Sequence, residues 1–152
     1  MKKWMLALVL LVLPAVSLAD DMEKYLEMMR SDLRSAKTQI HTEVLGLSDA
    51  EGQKFWPIQR EYETELAKLG DQRMALIKDY AANYDSLTAQ KAKELVDQAF
   101  KLESSRLALL KKYTGKISKD VSPMVAARFA QVEAIINSLI DLKIRAETPL
   151  VP

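Results

Sequence analysis

Apolar residues recur along this chain at alternating steps of three and four in four long segments, the spacing that lines one face of an α-helix. In the first segment Met22, Leu26, Met29, Leu33, Ala36 and Ile40 share a face, opposite Asp21, Arg30, Asp32 and Lys37. Gly46 follows as a left-handed stop. The second stripe is Phe55, Ile58, Tyr62, Leu66, Leu69, Leu76 or Ile77, Tyr80 and Tyr84. The third is Ala92, Leu95, Ala99, Leu102, Leu109 and Tyr113, and the fourth is Val125, Phe129, Val132, Ile136, Leu139 and Ile140.

Start and stop signals sit between the stripes. Ser48-Asp49-Ala50-Glu51 reads as a capping box: the serine oxygen accepts from the Glu51 amide, and the glutamate accepts from the Ser48 amide. Thr88 caps the third helix, and Thr114-Gly115 is expected to end it. Ser122-Pro123 places serine at the N-cap and proline at the first helical position. Pro57 lies too deep for a first turn and is expected to bend the second helix, with Gly70-Asp71 a second weak point. The helices are predicted over about 21–45, 49–84, 89–114 and 123–146, within one domain of residues 20–152. Hairpin signals such as Asn-Gly and Asp-Gly are absent, and no period-two alternation is sustained. The fold class is therefore all-α, a four-helix elongated antiparallel array packed at shallow angles. The second helix, roughly 54 Å long at about 1.5 Å per residue, outruns its neighbours, which predicts a homodimer.

The first nineteen residues carry a different pattern. Lys2 and Lys3 precede an unbroken apolar run from Trp4 to Leu13, Pro14 breaks it, and Ser17 and Ala19 are the small residues a signal peptidase reads. The run is too short to cross a bilayer, which takes about twenty residues. Residues 1–19 are thus expected to be a signal peptide cleaved after Ala19, leaving a periplasmic product with no stable membrane insertion. Loss of Lys2 and Lys3 takes 22 basic residues to 20, against 21 acidic ones. That balance gives no electrostatic basis for binding nucleic acid. There is no cysteine, which excludes a disulfide framework, a thiolate metal site and a thiol redox motif.

The chain is equally short of catalytic groups. His41 is the sole histidine, and no nucleophile motif, Gly-rich phosphate loop or HExxH accompanies it. No enzyme activity and no cofactor are expected. His41 is a weak candidate metal ligand, with Glu43 or methionines as partners, and otherwise a partly buried or dipole-facing imidazole near the end of the first helix. Met22 and Met29 fit the inward stripe, whereas Met28 falls off it and is a candidate exposed contact. Arg73 and Arg106 occupy positions where their stripes call for apolar residues, so they are expected to pair with acids across the helices or to line a concave surface. From Lys101 to Asp120 six basic residues face only Glu103 and Asp120, with Leu107, Leu109, Leu110 and Tyr113 interleaved. Arg106, Leu110, Lys111, Tyr113 and Met28 are the candidate partner-binding residues.

Leu47-Ser48-Asp49-Ala50-Glu51, at the start of a long second helix behind a signal peptide and a methionine-bearing first helix, resembles the LTxxQ motif of the Spy/CpxP family of periplasmic stress chaperones and regulators. Serine stands for threonine and glutamate for glutamine, and both replacements keep the capping chemistry of Leu47, Ser48 and Glu51. The resemblance implies a cradle-shaped antiparallel dimer that binds unfolded or stress-related envelope proteins without nucleotide. It also implies metal sensing in some relatives through His and Met side chains. The expected function is an ATP-independent chaperone or envelope stress-response modulator. The alternatives are a periplasmic metal-binding sensor or buffer and a structural interaction module of an envelope complex.

Overall fold

The structure, a computed structural model, is described over residues 33–152. The expected signal segment 1–19, and Met22, Met28 and Met29, lie outside the described residues. The chain divides into two compact units, Met1–Ile40 and His41–Pro152. Among the described residues there are four α-helices and no strand: α1 over 33–45, α2 Asp49–Asn83, α3 Ala89–Asp120 and α4 Pro123–Glu147, with a 3-10 turn at Tyr84–Ser86.

The caps are those that the local chemistry demands. Gly46 has φ +58, the left-handed region that stops α1, and the Arg128 guanidinium donates to the Leu45 carbonyl at 2.9 Å. The capping box of α2 is closed in both directions, Glu51 N–H to Ser48 Oγ at 3.3 Å and Ser48 N–H to Glu51 Oε2 at 3.0 Å. Those bonds hold the Glu51 carboxyl below its ordinary range, the backbone one contributing most. Thr88 and Ser122 cap α3 and α4 through Lys91 N–H and Val125 N–H, at 3.2 Å each.

Helix α2 runs without a break through Pro57 and Gly70. The expected stop of α3 at Thr114-Gly115 does not occur, and the helix continues to Asp120. Two residues beyond the glycine, Ile117 is fully buried. Burial of an isoleucine stabilises by about 1.5–3 kcal/mol, more than the roughly 1 kcal/mol that glycine costs in a helix interior.

Helix α3 packs against both α2 and α4. Cross-links from Asp79 to Lys91, Glu65 to Lys112 and Glu61 to Lys116 show α2 and α3 running antiparallel. The densest packing lies at the end nearest the α1–α2 and α3–α4 connections. There Leu45, Phe55, Ile58, Tyr62, Leu109, Tyr113, Ile117, Val125, Ala126 and Phe129 form one cluster. Its rings meet edge to face, with Tyr62 to Phe129 at 5.3 Å and Tyr62 to Tyr113 at 5.5 Å between centroids, the arrangement that aromatic quadrupoles favour.

Two faces differ from the expected stripes. In α1 the buried positions are Lys37, His41 and Leu45, while Leu33 and Ile40 are exposed. His41 is admitted to the core because its ring packs on Phe55 and Phe129 and its polar edge meets Glu133. In α4 Leu139 is exposed, since the inward stripe advances in steps of four from Val132 through Ile136 to the half-buried Ile140 and Ile144.

Candidate functional site

The basic, leucine-bearing stretch of α3 divides between surface and interior. Lys111 is exposed, Leu110 packs half-buried against the core, and Tyr113 is only 2 % exposed. The Tyr113 hydroxyl donates to Glu65 at 2.8 Å, and Lys112 donates to the same carboxylate at 2.8 and 2.9 Å. Burial, followed by the bond to Glu65 and its charge, pushes the Tyr113 phenol up to about 12. Lys116 is paired with Glu61. Arg106 points into a different cluster, and Met28 lies outside the described residues. The four described candidates, Arg106, Leu110, Lys111 and Tyr113, therefore do not share one surface.

Arg106 and Arg73 converge on Asp141. The Arg106 fork takes both carboxylate oxygens, at 2.9 and 2.6 Å, and Arg73 donates to Oδ1 at 2.7 Å. Arg106 also reaches Glu103 at 2.7 Å. Burial pushes the Asp141 carboxyl up, but the bonds and charges of Arg106 and Arg73 together outweigh it and hold the group below its ordinary range. Two cations against two anions leave the cluster neutral, so it works as a strut tying α2, α3 and α4 together, with no surplus charge for an anion.

Beyond the strut the three helices enclose an open cleft of about 320 Å³. Its walls are apolar, drawn from Leu76 and Ile77 of α2, Leu95, Val96 and Phe100 of α3, and Ile144 of α4. Phe100 is 69 % exposed and Val96 is exposed beside it. Arg73 and Glu103 line the cleft from the strut, and the exposed Arg145 lines it from α4. Tyr80 and Val151 line it where the chain continues past α4.

A second polar cluster lies in the aromatic core. His41 and Glu133 are both fully buried, with His41 Nε2 3.2 Å from Glu133 Oε1. Tyr62 donates to Glu133 Oε2 at 2.9 Å. Burial, and secondarily the Glu133 carboxylate, raises the Tyr62 phenol far above its ordinary range. The His41 ring is enclosed by Phe55 and Phe129, so the candidate metal ligand forms part of the core. Among the described residues no three metal-ligating side chains converge.

Expectation from the stripes did not single out Val96 or Phe100, and Leu107 entered only among the apolar residues interleaved with the basic stretch of α3. The signal was present, because each is a large apolar residue on α3 outside the Ala92, Leu95, Ala99 and Leu102 stripe. Single exposed apolar residues are ordinary, but a contiguous group of them off the buried face points to a surface contact. Comparison with family models, with curated proteins and with solved structures gives no match.

Proposed function

We propose that this protein is an exported, nucleotide-independent chaperone or envelope stress-response modulator of the Spy/CpxP type. It acts in the periplasm after removal of residues 1–19 and holds apolar segments of unfolded or envelope proteins. The observation that carries this reading is the open cleft with Val96 and Phe100 exposed at its wall. A contiguous uncovered apolar surface rimmed by charge is a feature of protein-binding sites. Hydrophobic capture is non-directional, which suits clients of varied sequence, and exposed cations such as Arg145, Lys101 and Lys111 would speed encounter with acidic clients.

The working form is a cradle-shaped antiparallel homodimer. Support comes from Ile135, Leu139 and Leu142, which leave a second apolar stripe on the outer face of α4. Covering such a stripe with a second copy would remove it from water.

The test is suppression of aggregation of an unfolded model protein. Wild type is expected to suppress at equimolar ratio, and a Val96→Ser/Phe100→Ser variant to lose most of that activity. Both side chains are exposed, so circular dichroism is expected to show the helical content unchanged. A wild type that suppresses nothing at several-fold excess would refute the proposal.

A further inference from the structure

The residues after α4 make a contact that the packing of the helices does not require. Tyr80, in the last turn of α2, and Tyr84, which opens the 3-10 turn after it, have their rings edge to face with 5.6 Å between centroids. Their hydroxyls donate to two successive backbone carbonyls, Tyr80 to Pro149 O at 3.0 Å and Tyr84 to Leu150 O at 3.1 Å. The Thr148 hydroxyl donates to the Ile144 carbonyl at 2.7 Å, closing α4, and Thr148 itself is extended at φ −93, ψ 119. From there the chain follows an irregular path along the edge of the cleft. The Leu150 side chain turns to solvent, 89 % exposed, whereas Val151 forms part of the cleft wall and still remains 58 % exposed. A Leu150 side chain in solvent beside a Val151 at the cleft edge fits the alternation of an extended chain, continuing from Thr148.

Tyrosine hydroxyls that bind carbonyls read the main chain and ignore side-chain identity, so any extended segment on this path can accept the same two bonds. Specificity then falls to the side chain that enters the cleft, where the walls are apolar. Proline suits the position of Pro149, because its fixed φ keeps the chain extended and the missing N–H leaves nothing unsatisfied. Val151 covers only the edge of a cavity of about 320 Å³, so the hold is slight and the space beyond is open.

We infer that the cleft is a receptor for an extended peptide of proline followed by aliphatic residues, and that Pro149-Leu150-Val151 sits on it as a built-in competitor. This rests on the reading of the cleft as a protein-binding groove, and it adds the chemical class of segment bound and a segment of the chain itself that occupies the edge of the groove. A partner segment displaces residues 149–151 by offering the same two carbonyls and a larger aliphatic or aromatic side chain.

The probe is a fluorescein-labelled peptide of the sequence Thr-Pro-Leu-Val-Pro, and a second with Leu in place of Val, titrated by fluorescence anisotropy against the full chain. Val151→Ser takes the apolar side chain off the cleft edge and is expected to bind both peptides about tenfold tighter than wild type, the Leu peptide better. Adding Tyr80→Phe and Tyr84→Phe to Val151→Ser is expected to remove that gain while circular dichroism stays unchanged. Equal binding by wild type and Val151→Ser, or by the tyrosine variant and its parent, overturns the inference. Aggregation assays on the same proteins separate the two claims. Tighter peptide binding without any aggregation suppression keeps the competitor and refutes the chaperone. Suppression by wild type with no effect of Val151→Ser on peptide binding does the reverse.

Discussion

Tyr113 and Tyr62 hold much of the chemistry of the core, because each carries a polar hydroxyl into an apolar cluster and gives it to a carboxylate, Glu65 or Glu133. Both phenols are raised above their ordinary value of 10.0, Tyr113 to about 12. In the unfolded chain they ionise near the ordinary value. Their contribution to stability is therefore complete below about pH 10 and is lost as the pH climbs through the folded-state values. Wild type is expected to lose thermal stability steeply between about pH 10 and 12. Tyr113→Phe is expected to flatten part of that fall, with Tyr62 supplying the rest, as read from unfolding midpoints at successive pH values. A Tyr113→Phe variant with the wild-type slope would count against a phenol that stays protonated in the fold.

Among the helices, the two ways of using glycine give opposite expectations. Gly46 has a positive φ at the end of α1, where a Cβ is strained, so Gly46→Ala is expected to cost about 1–2 kcal/mol. Gly115 sits inside α3 with nothing within 4 Å of an added Cβ. Gly115→Ala is expected to stabilise by about 0.5–1 kcal/mol, since alanine gives up less backbone freedom on entering a helix. Urea unfolding of the two variants checks both signs. A stabilising Gly46→Ala, or a destabilising Gly115→Ala, would contradict the helix ends described above.

Taken whole, the His41–Pro152 unit is packed unequally along its length. One end is closed by aromatic rings, and the other is held by the Arg73–Asp141–Arg106 strut, with the cleft beyond it. The strut is sensitive to acid. Asp141 is held below its ordinary value of 3.8, so its contribution is present above about pH 4 and is lost as the pH falls through the lower folded-state value. Asp141→Asn is expected to cost about 2 kcal/mol at neutral pH, the scale of hydrogen bonds to charged groups. It is also expected to make stability less dependent on pH on the acid side. Denaturant midpoints at neutral and acid pH measure both effects, and a neutral-pH cost near zero would show that the strut contributes nothing to stability.

What the sequence determined by itself was local: the helices, their N-caps at Ser48, Thr88 and Ser122, the reciprocal partner Glu51 and the stop at Gly46. Each depends on residues three or four positions apart, so spacing and side-chain type are enough to specify it. The odd placement of Arg73 and Arg106 was legible too, though their shared acceptor was not. Asp141 lies 68 and 35 residues away from them, and no local rule pairs such positions. Tertiary structure alone decided that α3 continues past Gly115, because the buried Ile117 rewards continuation. It also set His41 fully into the core against Glu133 and left Leu139 outside. The cleft belongs to this second class as well. Val96 and Phe100 could be marked as off the buried face of α3, but only the packing of three helices and the path of residues 149–151 encloses the space beside them. A helical period specifies which residues share a face, while the burial of that face depends on neighbours distant in the chain.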